Sequence, residues 1–292
     1  MSALLELDGC TKVYRVGSFG TRRLTAVSDV SFDVRAGEVV SLIGESGSGK
    51  STIGRMILRL SPVTSGTIRF KGDDVSTYSD HRLKGYYRHA QGVFQDPFSS
   101  YNPVYKADRV LELVKIAYFP HVDRATWRSK IEASLEAVSL DPGQVLHKFP
   151  HQLSGGQLQR LLVARALLLD LEFLVADEII SMLDASTRID VLNLLGALKA
   201  RGLGILFITH DLSLGNYISD RTLILRRGAV VESGPTSEVF GDPRHPYTRS
   251  LLAAVPHLHQ KWGNDTSYGF DSEQVPTALV PVGPDHLARV AV

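Results

Sequence analysis

Cysteine is almost absent from this sequence of 292 residues, and Cys10 is the only one. A single thiol excludes an internal disulfide and any all-cysteine metal or iron–sulfur site, and it suits a reducing compartment. Charge of one sign is missing as well. The 32 Lys and Arg are balanced by 31 Asp and Glu, a formal net charge of +1. A nucleic-acid surface carries a strong basic excess, so no nucleic-acid partner is expected. Long apolar runs are also missing. The most apolar region, LLVARALLLDLEFLVADEII, is broken by Arg165, Asp170 and Glu172, whereas a spanning helix needs about 20 nearly uninterrupted apolar residues. The opening MSALLELDGCTKVY has no basic start followed by an apolar core, so no secretory signal is expected there. No internal repeat is visible.

What is present suits a soluble globular chain: 43% hydrophobic and 22% charged residues, enough for one large domain with appendages. LLELDGCTKVY and AVSDVSFDV alternate apolar and polar residues, as half-buried strands do. VVSLIG, residues 39–44, is a short continuous apolar run, the mark of a strand covered on both faces. STIGRMILRL has helical spacing at Ile53, Met56, Ile57 and Leu60, and TIRFK reads as a further strand. From about residue 105 the pattern turns helical, with Pro142, Gly143 and Pro150 punctuating its far side. Next come a helix (SGGQLQRLLVARALL), a buried strand (FLVAD), a long helix over about 186–200 and another buried strand, GILFIT. Strands alternating with helices in this way predict a mostly parallel sheet covered by helices. ILRRGAVVESG reads as a hairpin and SLLAAVPHL as a short amphipathic helix, while the text beyond Lys261 predicts a loosely structured tail.

The chemistry begins at GESGSGKST, residues 44–52, which fits G-x-x-x-x-G-K-[ST] between a buried strand and a helix start. Gly44, Gly47 and Gly49 permit a tight wrap with N–H groups turned inward around Glu45, Ser46 and Ser48. The helix start at Thr52 adds positive potential for phosphates. Lys50 supplies a cation for the β- and γ-phosphates and Ser51 a hydroxyl for Mg²⁺. A plain Gly/Ser turn would not need the lysine, the serine and both flanking elements together.

FLVAD ends on Asp177, placed to hold Mg²⁺ through water, and Glu178 follows as the candidate base for an attacking water. Alone, an apolar run followed by two acids is equally a capped strand end. LSGGQLQR, residues 153–160, opens a helix with Ser154, Gly155, Gly156 and Gln157. Glycines early in a helix cost stability, and close approach of a phosphate to the helix N-terminus is one reason to keep them.

Here the sequence resembles the ATP-binding subunits of ABC transporters, over about residues 4–255. The motifs are GESGSGKST, FQDP, LSGGQ, VADE, SMLD and ITHDL, in that order. The resemblance implies an α/β P-loop NTPase core with a mostly parallel sheet, an N-terminal antiparallel β subdomain, an inserted α-helical subdomain and a short C-terminal extension. It implies residues 1–240 as the nucleotide-binding domain, with the helical subdomain at about 96–160, and 241–292 as the extension. ATP and Mg²⁺ are the implied cofactors, and an iron–sulfur cluster is not expected.

The resemblance also implies roles. Tyr14 stacks on adenine, or else packs as an ordinary strand aromatic. Gln95 binds Mg²⁺ and the attacking water, or else is a buried structural glutamine. His210 bonds the γ-phosphate. Asp184 reaches toward the opposite subunit, and Ser154, Gly155, Gly156 and Gln157 act on nucleotide held by that subunit in a head-to-tail dimer.

FQDPFSSYNP and DPRHPYTRSLLAAVP resemble the oligopeptide/dipeptide/nickel importer group. That implies a second, different ATPase chain, two permease subunits and an extracytoplasmic solute-binding protein, with this chain peripheral at the cytoplasmic face of the plasma membrane. A weakly hydrolysing regulatory subunit and a non-transport ABC ATPase stand as alternatives. Two histidines at 257–259 read as ordinary surface residues. Ile179 and Ile180 replace a proline and a small residue usual in the family, and a β-branched pair favours extended backbone there.

Overall fold

The computed structural model describes residues 3–17, 21–181, 183–254 and 278–290. The alternating opening third pairs as antiparallel strands β1 (Leu5–Val16) and β2 (Arg22–Val34). The apolar run becomes β3 (Val39–Ile43), and the glycine-rich loop leads into α1 (Lys50–Ile57). β4 (Ser65–Phe70) returns to β1 and carries β5 (Asp73–Asp74), closing a four-stranded sheet in the order β2-β1-β4-β5. Next come α2 (Asp80–His89), β6 (Ala90–Val93) and a helical block of α3 (Arg109–Tyr118), α4 (Arg124–Ala137), α5 (Pro142–Val145) and α6 (Gly155–Leu167). β7 (Phe173–Asp177), α7 (Ala185–Ala200), β8 (Gly204–Thr209), α8 (Leu212–Ile218) and β9 (Arg221–Arg226) continue the alternation. β10 (Ala229–Pro235), α9 (Thr236–Gly241), α10 (Pro246–Ala253), β11 (Val280–Gly283) and β12 (His286–Ala288) complete it.

The second sheet runs β11-β12-β10-β9-β3-β8-β7-β6. Its strands β9, β3, β8, β7 and β6 are parallel, and the β9–β10 hairpin turns the remaining edge antiparallel. Every residue of β3, β7 and β8 is buried, which is why these segments read as unbroken apolar runs rather than as alternation. Parallel register brings their C-terminal ends to one edge: Ile43 faces Thr209, and Asp177 faces Ile208. Ligands of open parallel sheets bind outside that edge. Among the described residues no helix is long and apolar enough to cross a membrane.

Three expectations are corrected. α1 stops at Ile57 instead of running to Leu60, because Arg59 turns to φ 55° and leaves Leu60 exposed. Ile179 and Ile180 do not extend the chain. They lie in tight turns closed by Ser181 N to Glu178 O (3.1 Å) and Leu183 N to Ile180 O (3.3 Å). Both side chains are buried in the core shared with α6 and α7, and burying an isoleucine is worth about 1.5–3 kcal/mol, more than the β-branched preference for extended backbone. The third correction concerns the tail. Residues 278–290 include the hairpin β11–β12, which adds two strands to the main sheet through Glu232↔Ala288 and Ser233↔Leu287. The histidines at 257–259 lie outside the described residues.

Candidate nucleotide site

The loop between β3 and α1 is shaped by positions that tolerate no side chain. A Cβ on Gly44 would strike the carbonyl of Leu225, and one on Gly49, at φ 109°, would strike that of Ala26. The loop is therefore pressed against β2 and β9. α1 begins at Lys50 with no side-chain cap and no acidic residue in its first turn, so its first N–H groups have no intrahelical acceptor and face the loop's mouth with the positive end of the helix dipole. The Ser48 hydroxyl is buried without a hydrogen-bond partner.

Lys50 is buried, and its Nζ donates to the carbonyls of Gly44 (2.7 Å) and Glu45 (2.8 Å). Burial lowers its pKa, while Glu178, Asp177 and Glu45 act against that fall. Ser51 Oγ donates to Asp177 Oδ1 at 3.2 Å. Burial raises the pKa of Asp177, with the Ser51 bond opposing. A hydroxyl beside a desolvated carboxylate is a pair of hard oxygen donors awaiting a small divalent cation. The amine, the uncapped helix start, the unpaired Ser48 hydroxyl and this oxygen pair fit a magnesium-bound triphosphate.

Glu178 stands on the turn leaving β7 at φ 50°, its N–H held by Ile208 O at 2.9 Å. A non-glycine residue in the left-handed region is uncommon and costs energy. Here it aims the carboxylate at His210, whose Nδ1 lies 3.3 Å from Glu178 Oε1. An open cavity of about 660 Å³ gathers Tyr14, Ser46, Gly47, Gly49, Lys50, Ser51, Thr52, Gln95, Glu178 and His210. Residues from positions 14 to 210 thus meet at one mouth. Gln95 is exposed, which removes the buried structural reading. Tyr14 is half-buried at the cavity wall, with Lys12 Nζ 5.0 Å above its ring.

Other expected residues stand apart from the cavity wall. Gly44, Glu45 and Ser48 form the back of the loop, and Asp177 lies beneath Ser51. Ser154, Gly155, Gly156 and Gln157 open α6, away from the cavity lining. Ser154 and Gln157 form a reciprocal capping box: Ser154 N donates to Gln157 Oε1 (2.9 Å), and Gln157 N to Ser154 Oγ (3.2 Å). The two glycines separate. A Cβ on Gly156 would sit 2.5 Å from Thr187 Cγ2, so that glycine lets α6 approach α7, whereas one on Gly155 meets nothing within 4 Å. Asp184 caps α7, accepting from Thr187 N (2.9 Å), Thr187 Oγ1 (3.0 Å) and Ser186 Oγ (2.7 Å). These bonds pull its pKa down to about 2.

Leu24 and Ala26 of β2 line the cavity too. Sequence reasoning missed both, since they lie in an alternating strand that carries no motif. It also missed Tyr247, whose hydroxyl accepts a 3.2 Å hydrogen bond from Glu45 N.

Fold and cavity together define a P-loop nucleoside-triphosphate-binding protein, and comparison with known proteins narrows the class. The family described as "ABC transporter" matches residues 27–181, and "Oligopeptide/dipeptide transporter, C-terminal region" matches residues 231–277. A putative peptide import ATP-binding protein of Brucella ovis is 43% identical over 255 residues, 87% of this chain and 78% of that protein. The oligopeptide transport ATP-binding protein OppF of Bacillus subtilis is 44% identical over 234 residues, 79% of this chain and 76% of OppF. An ATP-binding cassette solved as a dimer in a post-hydrolysis state, bound to ADP and Pi, superposes with a TM-score of 0.71 at 28% identity, covering 80% of this chain and 98% of that one. The chain belongs to the ABC transporter ATP-binding subunits, in the oligopeptide/dipeptide import group.

Proposed function

We propose that this chain is the ATP-hydrolysing subunit of a peptide importer. It works head to tail with a second, different ATPase chain, beneath two permease subunits served by an extracytoplasmic solute-binding protein. It is peripheral at the cytoplasmic face of the plasma membrane. Residues 1–240 are the nucleotide-binding domain, with the helical subdomain at about 96–160, and 241–292 the extension. The observation that carries the reading is the meeting of Lys50, Ser51, Gln95, Glu178 and His210 at one cavity. Similarity to peptide import ATPases supports the solute class.

The roles follow from position for the residues at the cavity and from the family resemblance for the rest. Bound nucleotide would supply the phosphoryl group to be transferred, and magnesium would offset its charge. Tyr14 flanks the base, and the loop from Gly44 to Thr52 wraps the phosphates. Ser51 and Gln95 would hold the cation directly, and Asp177 would do so through water. Glu178 takes a proton from the attacking water, a service worth about 10²–10⁴-fold in rate. His210, 3.3 Å from Glu178 and mostly exposed, orients that carboxylate and the terminal phosphate. Ser154, Gly155, Gly156 and Gln157 serve the nucleotide of the opposite chain, and Asp184 reaches toward that chain. ATP drives closure because it binds the closed pair better than the open one.

A groove of about 540 Å³, lined in part by Leu60, Phe94, Val110, Leu113 and Tyr118, adjoins the Gln95 loop. Leu60 and Leu113 are exposed apolar side chains, and a permease segment docked there links Gln95 to the membrane subunits. The test is uptake by the transporter reconstituted in vesicles. Peptide should enter only with ATP, and entry should stop with Glu178→Gln. Uptake of a different solute class, with peptide excluded, overturns the peptide assignment. Undiminished hydrolysis in Glu178→Gln overturns the role of Glu178.

A further inference from the structure

We propose that Tyr247 is a positioning residue for the phosphate loop, and that through it the C-terminal hairpin tunes nucleotide affinity. The inference rests on the loop being the nucleotide site.

Tyr247 sits on α10, buried in an apolar cluster with Ile43, Leu212, Ile224, Val231 and Val239. The guanidinium of Arg226 lies 5.0 Å from its ring centroid. The ring is thus fixed, and its hydroxyl meets Glu45 N at 3.2 Å across 202 residues of sequence. The carbonyl of the same peptide unit, Gly44 O, accepts from Lys50 Nζ at 2.7 Å. Both polar atoms of that peptide are therefore held, one by Tyr247 and one by the phosphate lysine. Phenylalanine would fill the same apolar site, so what the loop uses is the oxygen.

Behind Tyr247 the hydrogen bonds continue without a break. Tyr247 N donates to His245 Nδ1 (3.0 Å) and His245 N to Glu232 Oε2 (3.0 Å). Glu232 Oε1 accepts from Arg244 N (2.7 Å) and lies 2.8 Å from His286 Nε2. Glu232, His245 and His286 are all buried. Hairpin β11–β12, strand β10, the start of α10 and the loop are thereby joined in series. Losing the Tyr247 oxygen frees the Gly44–Glu45 peptide to rotate, and its carbonyl, which holds Lys50, turns with it.

The test is MgATP and MgADP binding to the full chain by fluorescence titration, with steady-state hydrolysis in the assembled transporter. Tyr247→Phe should raise Kd and KM by about 2–10-fold, the worth of one ordinary hydrogen bond, and leave kcat unchanged at saturating ATP. Mere loss of folded protein would lower kcat and leave KM alone, and that result overturns the proposal. His286→Ala should raise Kd in the native chain and add nothing in the Tyr247→Phe background, while His286→Gln, which keeps a donor toward Glu232, should bind ATP as the native chain does. Additive effects of Tyr247→Phe and His286→Ala overturn the route through the hairpin. Equal Kd for native chain and Tyr247→Phe overturns the role of Tyr247, whereas no binding by the native chain overturns the nucleotide site itself.

Discussion

The phosphate loop and the opening of α6 are both glycine-rich helix starts, yet they are built in opposite ways. α1 begins with no side-chain cap, so its N–H groups and the buried Lys50 turn toward a cavity. α6 begins with a completed capping box from Ser154 and Gln157, and Gly155 faces open space. One start is unfinished without a phosphate. The other is internally satisfied, and what it leaves over is a bare glycine surface. The difference teaches that a glycine in a motif can serve the chain's own packing or something outside it, and only the neighbours tell which.

Four changes break or sharpen this contrast. The largest effect is expected in Glu178→Gln, where turnover should fall about 10²–10⁴-fold with ATP binding retained; binding and hydrolysis assays on the same preparation check it. Ile180→Ala should cost about 2–5 kcal/mol by hollowing the core beneath the turn that carries Glu178, read by denaturant unfolding. Gly156→Ala should cost about 1–3 kcal/mol by overpacking against Thr187. Thr187→Ser removes the crowded methyl and keeps the hydroxyl that bonds Asp184, so adding it should recover most of that loss.

The smallest effect concerns pH. Burial lowers the His245 pKa from 6.5 to about 4, so the unfolded chain binds the proton first as pH falls. The stability contributed by neutral His245 is complete above pH 6.5 and is lost progressively toward pH 4. His245→Asn, which keeps an acceptor for Tyr247 N, should flatten the fall in melting temperature across that window.

Most of the cavity was legible because its chemistry is local. Lys50 and Ser51 lie within one loop, Asp177 and Glu178 at one strand end, and parallel register then brings those ends together. Tyr247 was not legible as a site residue, since nothing near HPYT in sequence points to Glu45. The terminal hairpin was hidden because the text beyond Lys261 lacks sustained periodicity, and its first strand even contains a proline. Pro281 is tolerated because β11 is the outermost strand of its sheet. The Ile179–Ile180 turn was misread because local preference pointed one way and burial pulled harder the other.

If the two helix starts divide the labour as proposed, Gly155→Glu separates them. MgATP affinity of the isolated chain should be unchanged in this variant, while hydrolysis by the assembled transporter should collapse. Lost affinity in the isolated chain, or undiminished hydrolysis in the assembly, would rule that division out.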